Sequence, residues 1–168
     1  MGTTPRYERY PVWGVLLSVG QALAIYALGA FVLARLAWWL AVAYVLFCLW
    51  AEVSILRGSC VHCYYYGKLC GLGRGKLCGL LFRRGDPARF LQRTATWRDI
   101  LPDMLVLALP VVGGIVALVL DFSWVLLGAL LILVLLSLVG NALVRGSFAC
   151  KHCKQRELGC PAEKLFAG

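Results

Sequence analysis

The sequence predicts an all-α integral membrane protein, with four transmembrane helices arranged as two tandem hairpins, each followed by a cytoplasmic cysteine-rich knuckle. Three observations carry that expectation. The 168-residue chain is 61% hydrophobic and only 15% charged, with a mean hydropathy of +0.80, which is too apolar for a water-soluble globule. Four apolar segments run Val12 to Ala34, Ala37 to Leu56, Ile100 to Leu120 and Phe122 to Val144. Each approaches or exceeds the length of about 20 residues that a hydrocarbon core of roughly 30 Å demands. Finally, the pattern Cys-x-His-Cys-x6-Cys occurs twice, once after each pair of segments.

Charge fixes the expected orientation. Of the 17 Lys and Arg residues, only Arg35 falls in a connection between paired spans. The others lie in the N-terminal tail, in the loop from Arg57 to Arg98, or after the fourth span. With an even number of spans these regions share one face, and the positive-inside rule makes it the cytoplasmic one. A multi-pass protein of the cytoplasmic (inner) membrane follows, with both termini in the cytoplasm. The net charge of +9 is accounted for by loop retention, so nucleic acid is not an expected partner.

Taken in order, the tail up to Tyr10 leads into the first span. Arg6 and Arg9 before an apolar run resemble a signal peptide, but the run is long and turns straight back into another span, so it is retained as a helix. Tyr10 and Trp13 fall where an interfacial aromatic belt is expected, with Trp38, Trp39 and Trp124 at the opposite interface. Gly14, Ser18, Ala22, Gly113, Gly114 and Ala117 are small enough for close helix approach. Pro110 frees a carbonyl in the third span, which a neighbouring helix is expected to satisfy.

Ionisable and amide groups within spans require partners. Glu52, one turn before the end of the second span, is a candidate proton relay or extra metal ligand; the structural alternative pairs it with a loop arginine such as Arg57. Asp103 and Asn141 are similarly shallow, and Gln21 is expected to make an interhelical hydrogen bond.

The chain divides into residues 1–78, a first hairpin plus knuckle, residues 79–99, a basic amphipathic interfacial linker, and residues 100–168, a second hairpin plus knuckle. Within and before the linker, the glycine-rich Gly71 to Lys76 turn and the cations Arg74, Lys76, Arg83 and Arg84 are candidate contacts for anionic lipid or phosphate. The turn lacks Walker spacing and a preceding strand, so a nucleotide P-loop is not expected. The stretch Leu80 to Arg98 reads as a short amphipathic helix lying on the anionic inner leaflet.

The knuckles carry the chemistry. Cys60, Cys63 and Cys70 with His62, and Cys150, Cys153 and Cys160 with His152, hold six of the eight cysteines and both histidines of the chain. A Cys-x2-Cys turn sets two sulfurs at adjacent vertices of a tetrahedral site, and the third cysteine can close onto the same ion. Each half is one ligand short of a closed zinc site. Either each triad recruits a fourth donor, from a histidine, Glu52 or water, or Cys60, Cys63, Cys150 and Cys153 form one shared site. Each histidine precedes the second cysteine of a pair and points more readily at the other half's ion than at its own. Zinc is the expected cofactor; iron or an iron–sulfur cluster uses the same thiolates. A cytoplasmic location disfavours structural disulfides. Cys48 packs in a span, and Cys78 stands outside both motifs.

Three function classes remain open. One is a metal-stabilised scaffold or subunit that docks a soluble or membrane protein, or a second copy of the chain. Another is a membrane thiol–disulfide oxidoreductase, and the last is soft-metal handling or transport. Four helices with paired cysteines resemble the bacterial disulfide-forming and vitamin K epoxide-reducing membrane enzymes. Those families place active cysteines toward the oxidising side, with a Cys-x2-Cys entering a helix, whereas both pairs here leave helices and face the cytoplasm. No catalytic set is named, and an enzyme would be a thiol oxidoreductase. The lipid bilayer with its anionic inner leaflet is the remaining expected partner.

Overall fold

The computed structural model describes residues 6–92 and 96–160; residues 1–5, part of the linker at 93–95, and residues 161–168 of the second expected domain lie outside the described residues. Helix α1 spans Val12–Ala34 and α2 Trp38–Gly58, followed by a 3-10 turn at Cys60–His62. Then come α3 (Arg74–Leu81), α4 (Pro87–Gln92), α5 (Trp97–Leu120), α6 (Trp124–Leu135) and α7 (Gln155–Leu158). Between α6 and α7 the chain is π-helical at Leu136–Gly140 and Ala142–Cys150. Among the described residues there is no strand, only an isolated parallel bridge between Tyr7 and Cys153.

Four helical stretches are long and apolar enough to cross a membrane: Val12–Ala34, Trp38–His62, Ile100–Leu120 and Trp124–Cys150. Their outward faces are apolar, with Val119 82% and Leu46 61% exposed, a surface suited to lipid rather than water. The first and third stretches have the expected bounds. The second and fourth run further, because Arg57 and Arg145 do not end them; long cationic side chains extend from an apolar helix toward the interface without breaking it. The stretch from Leu80 to Arg98, expected as one helix, is divided among the end of α3, α4 and the start of α5. Asp86 causes the new start: its Oδ1 accepts the Ala88 N–H at 2.9 Å, and Pro87 supplies a first helical residue with no N–H to satisfy.

Two compact units emerge, each drawing on both halves of the sequence. The helical unit comprises Gly20–Glu52 and Trp97–Asn141. Its core packs Ile25, Leu33, Tyr44, Cys48, Val106 and Leu133, next to a second cluster around Val32, Leu126 and Leu130. Gly29 lets the Tyr44 ring against α1: a Cβ there would lie 2.5 Å from the phenolic oxygen. That hydroxyl donates to the Val106 carbonyl at 2.8 Å, the acceptor that Pro110, inside α5, leaves without its helical N–H.

Gln21 Nε2 donates to Leu136 O at 3.0 Å and to Asn141 Oδ1 at 3.4 Å, so the expected interhelical bond is made twice. Asn141 Nδ2 in turn donates to Ser137 O at 2.8 Å. Glu52 Oε1 accepts from the Tyr26 hydroxyl at 2.6 Å. Its hydrogen-bond donor is thus a tyrosine of the neighbouring span.

The other unit, hereafter the thiol unit, comprises Met1–Val19, Val53–Thr96 and Ala142–Gly168. Its apolar cluster is small, with Leu56, Val61 and Cys78 buried and Tyr66 and Phe82 packed against them. Tyr10 is 3% exposed and Tyr65 2%. Tyr10 is therefore an interior residue, while Trp13 is 61% exposed. Local pattern does not reveal the burial of Tyr10, because nothing near it in sequence points to the two distant loops that enclose its ring.

Candidate functional site

The two Cys-x2-Cys turns are built alike. The Cys63 N–H donates to Cys60 O and the Cys153 N–H to Cys150 O, each at 3.3 Å. The chain then turns again, with Tyr66 N–H to Cys63 O at 3.1 Å and Arg156 N–H to Cys153 O at 3.2 Å. In both loops the second cysteine's sulfur accepts an N–H from two residues ahead: Tyr65 for Cys63, and Gln155, joined by Arg156, for Cys153. Cys70 Sγ accepts the Gly75 N–H at 3.2 Å. Backbone N–H groups aimed at sulfur favour the thiolate form.

The third segment of the unit is the N-terminal tail, and sequence reasoning missed its role. Tyr7 N–H donates to His152 O at 3.1 Å, and Tyr10 N–H to Leu69 O at 3.1 Å. The Tyr10 hydroxyl donates to Ala149 O. The Tyr65 hydroxyl donates to Tyr7 O at 2.6 Å and accepts the Lys154 N–H at 2.9 Å. Gln155, 5% exposed, accepts the Tyr64 N–H at 2.8 Å. The tail therefore lies against both loops. Ion pairs at the rim add Arg6 to Glu157 and Lys154 to Glu8, both at 2.8 Å. The only available signal was compositional, in the Tyr64-Tyr65-Tyr66 run and the tail tyrosines.

The thiols of the two motifs influence one another's protonation: charge on Cys153, Cys70 or Cys160 would add to the rise at Cys63, and charge on Cys150 or Cys160 to the rise at Cys153. Burial pushes the Cys63 thiol up to about 12, opposed by the Tyr65 N–H and reinforced by the neighbouring thiols. Cys153 is raised for the same first reason, with its two N–H bonds acting in the other direction. Burial also lifts Tyr10 far above the usual phenol value and Tyr65 to about 12. All eight cysteines are free thiols. Among the described residues, no three Cys, His, Asp or Glu side chains are grouped as ligands of one ion.

The histidines are held by backbone carbonyls. His62 Nδ1 pairs with Asp86 O and His152 Nδ1 with Phe148 O, each at 2.9 Å, and Tyr7 stacks on His152 at 5.1 Å. A carbonyl only accepts, so Nδ1 carries the proton and neutral imidazole keeps its lone pair at Nε2.

Of the other candidate residues, Arg74 opens α3 and lies within electrostatic range of Cys60. Lys76 is exposed on α3, and Arg83 and Arg84 are exposed between α3 and α4. The glycines beside Arg74 serve close packing: a Cβ on Gly75 would lie 2.3 Å from Tyr65 O and 2.6 Å from Lys68 O. Glu52 and Cys48 belong to the helical unit, and Cys78 is fully buried, its thiol donating to Leu56 O at 3.7 Å.

No protein family model, curated protein or solved structure matches this chain. Fold and site define a class only as far as their own geometry goes: an all-helical chain with four potential membrane spans and a thiol-rich loop unit.

Proposed function

We propose that the two Cys-x-His-Cys-x6-Cys segments of this membrane protein jointly hold one soft metal ion, zinc first. Cys63 and Cys153 are its central ligands, Cys70 and Cys160 the next in reach, and the bound ion fixes the loops as a docking surface for a partner. The observation that carries this reading is the direct hydrogen bonding between the residues that follow Cys63 and Cys153: the Gln155 side chain accepts the Tyr64 N–H at 2.8 Å, and the Tyr65 hydroxyl accepts the Lys154 N–H at 2.9 Å, which holds the two cysteine turns side by side.

Buried thiols with raised pKa values lack a counter-charge, and a divalent soft cation supplies one by displacing their protons. Four thiolates on zinc carry a net double negative charge, which Arg74, Lys154 and Arg156 can offset. The N–H groups already aimed at Cys63 and Cys153 would stabilise the thiolates as they form. Burial of Cys63 opposes the exposed low-pKa thiolate that a thiol–disulfide oxidoreductase requires, which favours the metal reading over that one. Cytoplasmic placement rests on the distribution of Lys and Arg.

Anaerobic purification in detergent, elemental analysis and an absorption spectrum test the proposal. One zinc per chain is expected, lost in Cys63→Ser and in Cys153→Ser alike and retained in Cys48→Ser. Visible absorption bands would replace zinc by iron. Two ions, each lost only with the cysteines of its own loop, would overturn the joint site. A metal-free protein that cycles reversibly between thiols and a disulfide would overturn the metal reading altogether.

A further inference from the structure

We propose that the groove bounded by the end of α2, the first thiol loop and α4 binds a phosphate group, carried either by a lipid headgroup or by a soluble phosphorylated compound. The groove is open, has a volume of about 410 Å³ and, among the described residues, is lined by Gly58, His62, Arg89 and Gln92. None of these is acidic. Arg89 brings a guanidinium fork that matches two phosphate oxygens, and Gln92 an amide donor.

The carboxylate nearest in sequence, Asp86, is turned to other work: its Oδ1 accepts the Ala88 N–H at 2.9 Å. Its carbonyl holds His62 Nδ1 at 2.9 Å. Gly85, whose N–H donates to Val61 O at 2.9 Å, presses the loop against the same ring, where a Cβ would lie 2.3 Å from Cε1. The imidazole is thus fixed as one wall, with Nε2 as its remaining polar atom.

The volume falls in the range of small-molecule sites, roughly 300–1,000 Å³, and exceeds what a bare phosphate ion fills. Gly58 is the last residue of α2 and His62 the last of the second potential span, so the groove lies at the end of that span, where phospholipid headgroups would be met. Arg89 and Gln92 are exposed, so replacing them leaves the core intact. The inference does not depend on a metal ion at the cysteines.

The full chain in nanodiscs tests it, in two arms. In one, phosphatidic acid is introduced into phosphatidylcholine discs and retention is read by native mass spectrometry. In the other, glycerol 3-phosphate is titrated against phosphatidylcholine discs and followed by 31P NMR. Saturable binding in one arm identifies the source. In that arm Arg89→Ala should weaken binding about tenfold or more, the scale of a charge-assisted hydrogen-bond pair. Arg89→Lys should fall between, because an ammonium cannot fork, and Gln92→Leu should weaken binding with no change of charge. Arg9→Ala, exposed in the N-terminal tail and outside the groove, should stay within about twofold. Equal losses in Arg89→Ala and Arg9→Ala would reduce the effect to diffuse surface charge and overturn the site. Failure of both arms to saturate would overturn it as well.

Discussion

The helical unit and the thiol unit solve the problem of internal polar groups in opposite ways. In the helical unit polar side chains are sparse, and most meet one nearby need: Tyr44 covers the carbonyl freed by Pro110, Tyr26 donates to Glu52, and Gln21 reaches the π-helical segment. Apolar packing around Leu33 and Leu133 does the rest. In the thiol unit the apolar cluster is small, and the unit is instead tied by hydroxyl and amide groups that join segments distant in sequence. Tyr65 alone touches the tail and the second loop through one oxygen. A bilayer-facing bundle needs few such ties because its helices satisfy their own backbones. Irregular loops must find partners for theirs elsewhere.

The largest effect expected from that contrast comes from crowding backbone against backbone. In Gly75→Ala the new methyl would meet the carbonyl oxygens of Tyr65 and Lys68 at 2.3 and 2.6 Å, and neither can swing aside as a side chain would. A loss on the order of 3 kcal/mol is expected, at the upper end of overpacking costs. Hydrogen exchange should quicken across residues 63–82, with the helical unit little changed. Gly20→Ala, with nothing within 4 Å of the added atom, should be neutral or slightly stabilising in its helix. Similar exchange in the two variants would show that the Gly75 contact is not tight in solution.

A smaller effect separates the units more directly. Tyr65→Phe strands two half-buried backbone groups, Tyr7 O and the Lys154 N–H, and should cost about 1–2 kcal/mol. Tyr44→Phe strands one carbonyl within a helix, where polar contacts in membrane bundles average about 0.6 kcal/mol. Thermal melts in detergent should therefore shift more for Tyr65→Phe. The reverse order would mean that the bundle, and not the loop unit, depends on its hydroxyls.

How legible each unit was follows from the same contrast. Spans announce themselves in consecutive apolar residues, and the first helix has the expected bounds. Errors at the ends of the second and fourth arose where Arg57 and Arg145 look like stops and are not. The need for a partner at Pro110 was readable from covalent structure alone, but the identity of Tyr44 was not, since helix rotation is set by packing. The Cys-x2-Cys turns were readable from spacing. That Tyr10 and Tyr65 join them was not, because such contacts span most of the chain and leave no local periodicity. His62 shows the same limit: its place beside Cys63 was plain, but its bond to the Asp86 carbonyl depends on how the linker folds back.

The smallest expected effect lies at the rim of the thiol unit. Glu8 and Lys154 pair at 2.8 Å. The hydrogen bond and charge of Lys154 hold the Glu8 carboxyl below its usual 4.5, and Glu8 holds the Lys154 ammonium above its usual 10.5. A depressed acid adds stability above its ordinary titration range and loses it as pH falls through the lowered value. A raised base adds stability below its ordinary range and loses it as pH climbs through the raised one. The pair therefore acts across neutral pH and fades at both extremes. Because both groups are open to water, salt screens them, so Glu8→Gln should change loop exchange less than Tyr65→Phe, and the difference from the parent chain should shrink between 0.05 M and about 0.5 M salt. A Glu8→Gln effect as large as that of Tyr65→Phe, and insensitive to salt, would move the hold on the N-terminal tail from buried hydroxyls to surface charge.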